Sequence, residues 1–275
     1  MVFVTGGTGF IGAYIIRKLV QAGYRVRACR RSASLSAYIE PEIWEAVEWV
    51  ETDILDSLGI REAVEGASAV IHAAGKVSFY GKEKKQMFAT NINGTANIVN
   101  ACIELKAPRL IHISSVAAIG RTVNGATVSE EKKWENHKNN TPYAISKYYA
   151  EMEVWRGIAE GLNAVILNPG TVLGYGNWHQ SSCSIFKSVY NEFPWYTNGI
   201  NGFVDVEDIA LVCEKLLHSE IENERFILTG DNWPFREIFN HIADGLGKKR
   251  PHKYAGPLAG SIAWRVEKLK SVLLN

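Results

Sequence analysis

A parallel β-sheet covered by helices on both faces is the fold class this sequence predicts. Three observations carry it. Short apolar runs alternate with segments of helical periodicity as far as Gly170. The order is β-α-β-α throughout that stretch, which favours a parallel sheet with helices on both sides. A glycine-rich turn joins the first run to the first helix.

Taken in order, Val2-Phe3-Val4 is an apolar run stopped by Gly6-Gly7, and it reads as a buried strand. From Phe10 to Gln21, Ile11, Ile15, Ile16, Leu19 and Val20 recur at helical spacing, and Gly23 closes the helix. Residues 24–29 read as a second strand and 47–50 as a weak third. A helix over about 58–64 ends at Gly66, and Ala69-Val70-Ile71-His72 is the fourth strand. One long amphipathic helix is expected over 84–105, followed by a strand over 109–113. A helix from Pro142 to about Glu160 precedes a sixth strand over 162–167.

Beyond Gly170 the alternation weakens. Residues 174–202 are rich in Gly, Asn, Ser and aromatics, so loops are expected there with one helix near 184–191. Residues 205–217 carry an apolar stripe of Val206, Ile209, Ala210, Cys213 and Leu217 and read as a helix. A strand over 225–228 and a helix over 234–246 complete the expectation, and the terminal KLKSVLLN reads as lying inside or just past a helix. The division is soft: 1–170 as a dinucleotide-binding domain with the catalytic residues, and 171–275 mainly as a small C-terminal substrate-binding lobe, some of whose segments return to the core.

Composition narrows the function. The 275 residues are 47% hydrophobic, ample for a large core, and the formal charge of +1 sets up no net field for nucleic acid or membrane. Cys29, Cys102, Cys183 and Cys213 are scattered, as are the histidines, so neither a disulfide framework nor a metal site is expected. No basic leader with an apolar stretch opens the sequence, and no run of apolar residues is long enough to span a bilayer. A cytoplasmic protein acting on a small molecule is the expectation.

The strongest local signal is Thr5-Gly6-Gly7-Thr8-Gly9-Phe10-Ile11-Gly12, set between a strand and a helix. Its GxxGxxG spacing does the work of a dinucleotide loop: a tight turn, close approach of a pyrophosphate, and close helix-on-strand packing. Free N–H groups at the helix start would face the phosphates. The expected sheet is therefore of the Rossmann type. At the end of the second strand, where an acidic residue would accept from a ribose hydroxyl, stand Arg30, Arg31 and Ser32. Arginine pairs well with a 2′-phosphate, which favours NADP over NAD, although solvated surface arginines would look the same. Asp53 is placed to accept from an adenine amino group, with Ile54 against the ring; a plain loop carboxylate is the alternative.

With that loop, His72-Ala73-Ala74-Gly75, Asn91-Ile92-Asn93-Gly94-Thr95, Ser114-Ser115, the Tyr143/Lys147 pair, Pro169-Gly170 and Phe203-Val204-Asp205-Val206-Glu207-Asp208 in order, the chain resembles the extended short-chain dehydrogenase/reductase family. Within it, the chain is most similar to dihydroflavonol-4-reductase-like and NAD-dependent epimerase/dehydratase members. The resemblance implies that Tyr143 is the catalytic acid/base and that Lys147 lowers its pKa and holds the nicotinamide ribose. It implies that Ser115 bonds the substrate oxygen, Asn91 helps to organise the site, Ala73, Ala74 and Gly75 line the cofactor, and Pro169 to Val172 contact the nicotinamide. It also implies a homodimer through the helices over 84–105 and 143–160.

Elementary chemistry points the same way. A free phenol, with a pKa near 10, is a poor base at neutral pH, and a neighbouring cation brings it toward the working range. Residues four apart share one helical face, so Lys147 can stay near Tyr143. A serine hydroxyl at a strand end can both donate and accept. Val77, Phe79, Tyr80, Trp178, His179, Ser182, Ile185, Tyr196 and Phe203 are candidates for a substrate pocket suited to a bulky or ring-bearing molecule, with core packing the competing explanation for many. Lys187, Arg225 and Arg236 make a thin set for a sugar nucleotide's diphosphate, so a carbonyl/alcohol oxidoreductase ranks above a nucleotide-sugar epimerase. Val116-Ala117 after Ser115 argues against a dehydratase, and a non-catalytic cofactor-binding regulator is the remote alternative.

Overall fold

The computed structural model describes residues 1–32, 38–122, 126–138 and 140–256; the expectation for the terminal KLKSVLLN falls outside them. The elements begin β1 (Val2–Thr5), α1 (Phe10–Gln21), β2 (Val26–Arg30), α2 (Pro41–Glu45), β3 (Val47–Glu51), α3 (Ser57–Val64) and β4 (Ala69–His72). Then come α4 (Lys84–Phe88), α5 (Gly94–Glu104), β5 (Leu110–Ile113), α6 (Pro142–Ala159), β6 (Ala164–Pro169) and β7 (Thr171–Leu173). The last third adds α7 (Ser184–Tyr190), β8 (Trp195–Tyr196), β9 (Ile200–Asp205), α8 (Val206–Leu216), β10 (Arg225–Leu228), β11 (Asp231–Pro234), α9 (Phe235–Gly245) and β12 (Lys253–Tyr254).

Seven strands form one parallel sheet in the order β10-β6-β5-β4-β1-β2-β3. Because successive strand residues point to opposite faces, each central strand feeds two cores. Val2, Val4, Ile111, Ile113, Val165 and Leu167 pack on one face with Ile15 and Ile16 of α1 and Ile209 and Cys213 of α8. Phe3, Val70, Leu110 and Ile166 pack on the other with Ile60 of α3, Ile98 of α5 and Val154 of α6. The sheet is therefore buried on both sides, and its central strands are mostly apolar for that reason, with Thr5, His72, His112 and Asn168 as the buried polar exceptions.

Side chains set the starts of α3, α6 and α8. Asp56, Thr141 and Asp205 cap α3, α6 and α8 by accepting from the N–H groups of Gly59, Ala144 and Glu207. Pro142 occupies the first turn of α6, where a missing N–H costs nothing.

The expected single helix over 84–105 is the main local correction. Between α4 and α5 the ladder widens by one residue, and the N–H of Gly94 bonds the carbonyl of Ala89 five positions back. Two causes lie in the sequence. Asn91, Asn93 and Gly94 are weak helix formers. The Thr95 hydroxyl also takes the Asn91 carbonyl at 2.6 Å.

The last third divides its loyalties. β10 pairs with β6 at the edge of the large sheet and α8 packs on α1. Beside them, β11-β9-β7 form a small sheet, β12 pairs with β8, and α7 packs on α9.

Candidate active site

The glycine turn after β1 leaves no room for side chains. Gly6 has φ +71°, and a Cβ there would lie 2.6 Å from the Ala74 nitrogen. A Cβ on Gly12 would lie 2.2 Å from the Gly6 carbonyl oxygen, so α1 packs directly on the turn. Gly9 caps α1 without a side-chain bond, and the first turn, with Phe10 and Ile11, holds no acidic residue. Thr8 lies in the same turn. An uncapped positive helix end beside a cradle closed to any Cβ is chemistry that fits a dinucleotide's pyrophosphate.

At the end of β2, Arg30 lies 5.5 and 5.9 Å from the rings of Trp44 and Trp49, which stack on each other at 4.2 Å. Arg31 and Ser32 are exposed beside it. This tryptophan pair is the support that sequence reasoning missed, because α2 and β3 bring it together only in the fold. Asp53 accepts from the Leu55 N–H at 2.9 Å. Ile54 is buried, its side chain filling the space left by Gly94, and its carbonyl accepts from Asn97 at 2.9 Å.

After β4, the Ala74 N–H donates to the Thr5 hydroxyl at 3.2 Å, which holds Ala73-Ala74-Gly75 against the glycine turn. A Cβ on Gly75 would sit 3.5 Å from Asn91 Oδ1 and 3.9 Å from Lys147 Nζ. The dinucleotide loop and the Tyr143/Lys147 helix thus meet at this glycine.

Ser115, Tyr143, Lys147 and Asn91 lie in one region of the fold. The Ser115 side chain lies close enough to the Tyr143 phenol to favour its ionised form, and its hydroxyl accepts from the Ala117 N–H at 3.2 Å. Asn91 accepts from the Lys76 N–H at 2.7 Å and donates to the Lys76 carbonyl and to Ser146 Oγ at 3.0 and 2.9 Å. Ser146 in turn donates to the Tyr143 carbonyl at 2.8 Å. Lys147 is buried and donates to the Ile113 carbonyl at 2.9 Å. Burial lowers its pKa to about 8, with the charge of Glu151 acting in the opposite direction.

The phenol departs from expectation. Burial pushes the Tyr143 pKa up, and the Ser115 side chain offsets part of that rise. With Lys147 turned to Ile113, the two influences on the phenol are burial and Ser115, not the ammonium.

Two further groups escaped the sequence reading. His72, in the fourth-strand motif, bonds Thr5 Oγ1 at 2.6 Å through Nδ1 and Thr95 Oγ1 at 2.9 Å through Nε2. Thr5 already accepts from Ala74, and Thr95 donates to Asn91. Because the Thr95 hydrogen is used on Asn91, Nε2 of His72 donates to Thr95, and in the neutral ring that burial favours Nδ1 accepts from Thr5. Burial, then the Lys147 charge, lowers its pKa to about 3. Glu151, two turns beyond Tyr143, is buried among Ser114, Asn168 and Arg225. Its polarity in a core stripe was the available signal.

The substrate candidates divide. Val77, Phe79 and Tyr80 are exposed, and Phe79 meets the Tyr143 ring edge-on at 6.2 Å. Pro169 ends β6 and Val172 is buried in β7, its carbonyl accepting from Ser182. Trp178 stacks on Phe186, His179 bonds Lys187, and Ile185 lines a small apolar cavity with Phe193 and Phe239. Tyr196 lies under Arg236. Phe203 is corrected to a core residue: it is 5% exposed and packed edge-on against Phe235. Arg225 is likewise committed, to a buried ion pair with Glu151 at 2.9 Å. Among the described residues no helix is long and apolar enough to cross a membrane.

Known proteins resemble most of the chain. The model of the NAD-dependent epimerase/dehydratase family matches residues 2–226. A Synechocystis sp. protein provisionally named dihydroflavonol 4-reductase is 30% identical, over 98% of this chain and 80% of its own. Cinnamoyl-CoA reductase 1 of Petunia hybrida is 31% identical, over 82% of this chain and 72% of its own. The solved UDP-glucose 4-epimerase of Thermus thermophilus, in complex with NAD, superposes with a TM-score of 0.76 at 24% identity, over 92% of this chain and 85% of that one.

Proposed function

The chain belongs to the NAD-dependent epimerase/dehydratase family, and from that premise we propose that Ser115, Tyr143 and Lys147 run hydride transfer at a carbinol or carbonyl carbon. It is an NAD(P)-dependent oxidoreductase-type enzyme for a small molecule. The observation that supports the residue roles best is the nearness of Ser115 to the Tyr143 phenol, with buried Lys147 one turn along the same helix. The nicotinamide, when bound, supplies or takes the hydride.

In the reducing direction Ser115 orients the substrate oxygen and Tyr143 gives it the phenolic proton. A phenol whose pKa is raised keeps that proton at neutral pH, as an acid must. In the oxidising direction Tyr143 takes the hydroxyl proton, which requires a nearby positive charge. Lys147 fits that role once its Nζ leaves the Ile113 carbonyl for the nicotinamide ribose hydroxyls. Gly6, Gly9 and Gly12 with the open end of α1 would hold the pyrophosphate, and Ala73 to Gly75 the adjoining ribose. The chain's own preference for NADP rests on Arg30, Arg31 and Ser32; NAD is the cofactor named with the Thermus epimerase. Residues 171–256 supply the lobe over the strand ends, and the outer faces of α4–α5 and α6 the surface of a homodimer.

Two net reactions share this step. The family description and the likeness to UDP-glucose 4-epimerase weigh toward nucleotide-sugar epimerisation, more than the sequence ranking allowed. In that case the sugar carbon is oxidised and then reduced from its other face, and exposed Arg236 with Lys187 are the cations left for the diphosphate. The curated relatives' names and the aromatic rim of Phe79 and Tyr80 favour net reduction of a ring-bearing carbonyl. One experiment separates them. NADH and NADPH are titrated by fluorescence, and the tighter one is offered with UDP-sugars and with aromatic ketones and aldehydes. Turnover by wild type and its loss, by roughly 10² to 10⁴-fold, in Tyr143→Phe is expected. Equal turnover by the two proteins would overturn the assignment, and tighter NADH would overturn the arginine argument.

A further inference from the structure

Glu151 is 1% exposed, yet it is a carboxylate in the middle of a packed helix. A buried charge survives only where its oxygens are well partnered. Here the partners come from several elements that share no local sequence. Oε2 accepts from Ser114 Oγ at 2.8 Å, at the end of β5, and from Asn168 Nδ2 at 2.9 Å, on β6. The same Asn168 nitrogen donates to the Ser115 carbonyl at 2.8 Å. Oε1 accepts from Arg225 at 2.9 Å, on β10, and more distantly from Trp155 at 3.4 Å. Arg225 also donates to the carbonyls of Glu130 and Lys132, in the long connection that leads to Tyr143. The Glu130 carboxylate returns to the β10 backbone through the Ile227 N–H at 2.9 Å.

We propose that Glu151 is a positioning residue that fixes Ser115 relative to Lys147 and couples that arrangement to the C-terminal strand β10 through Arg225. It rests on the hydride-transfer reading for its effect on rate, but not for its effect on Lys147. Glu151 lies one turn beyond Lys147 and is the anion opposing the loss of its charge. The groups facing this pair are Tyr143 on its own helix, His72 on β4, His112 on β5 and Arg225 on β10. The two histidines feel the Lys147 charge and are held neutral, so they add no positive charge there. Arg225 lies opposite the carboxylate at 2.9 Å. Ser115 is reached through its own carbonyl and through neighbouring Ser114, two bonds that lead back to a single carboxylate group.

The test uses the full chain and two readouts. Lys147 titration is followed by NMR of isotopically labelled lysine, in wild type, Glu151→Gln and Glu151→Asp. The expected result is a Lys147 pKa that falls below the wild-type value of about 8 in Glu151→Gln and is partly restored in Glu151→Asp. In the substrate assay, kcat should fall on the order of 10- to 100-fold in Glu151→Gln with cofactor affinity retained. Ser114→Ala, which leaves the ion pair intact, serves if Glu151→Gln does not fold. It should lower kcat while leaving the Lys147 titration in place. An unmoved Lys147 titration in Glu151→Gln, or wild-type kcat in either Glu151→Gln or Ser114→Ala, overturns the proposal. Absence of turnover by wild type on every substrate would count against the enzymatic reading, while the Lys147 titration would still decide the electrostatic part.

Discussion

Acidifying the protein from pH 7 to pH 5 should remove about 2 kcal/mol of folding stability through His72 alone. The imidazole is fully buried between Thr5 and Thr95, and its pKa falls from 6.5 to about 3. The folded value lies below the unfolded one. The contribution is therefore complete above about pH 6.5 and is lost as the unfolded chain takes up a proton that the native state refuses. At pH 5 the unfolded imidazole is almost wholly protonated and the folded one almost wholly neutral. That difference of about 1.5 logarithmic units, at 1.36 kcal/mol each, gives the figure. Urea denaturation at the two pH values measures it, with His72→Gln as the reference. Glutamine can still accept and donate, keeps every other titrating group including His112, and does not ionise. Wild type should lose about 2 kcal/mol more than the variant between pH 7 and pH 5. Equal losses would refute the reasoning and the neutral tautomer with it.

Three further outcomes are expected. Gly12→Ala places a methyl 2.2 Å from the Gly6 carbonyl, so it should push α1 off the turn and weaken NAD(P)H binding by roughly tenfold or more in a fluorescence titration. Lys147, with a folded pKa of about 8 against 10.5 unfolded, penalises the fold while charged, and the penalty eases as pH rises through that window. Raising the pH from 7 to 9 should thus stabilise wild type by about 1 kcal/mol relative to Lys147→Met in the same urea experiment. Sedimentation equilibrium should find a dimer that a charge introduced at half-exposed Tyr149 on α6, as Tyr149→Glu, converts to monomer.

The large sheet was legible because its central strands are buried and mostly apolar, while α1, α3, α6 and α8 carry periodic stripes or capping residues. The glycine turn and the Tyr143/Lys147 spacing were legible because each places a fixed chemistry within a few residues. What stayed hidden depends on distant partners. β7 and β11 are short, and their pairing with β9, more than any periodicity, makes them strands. The widened turn at Asn91 needs the Thr95 hydroxyl to select the Asn91 carbonyl over solvent. Phe203 looked like a pocket residue because nothing near it in sequence announces Phe235. The orientation of Lys147 toward Ile113, and with it the high pKa of Tyr143, follows from burial that no local pattern encodes.

The place of β10 at the margin of the large sheet has a consequence for biosynthesis. Its partner β6 ends at Pro169, but β10 begins only at Arg225, after β7, β9 and the helix α8 have been made. A nascent chain halted before Arg225 exposes the β6 backbone as a bare sheet edge, open to pairing with another chain. It also lacks the guanidinium that Glu151 needs. Closure of the sheet therefore waits for β10, and products truncated before it should be the aggregating ones.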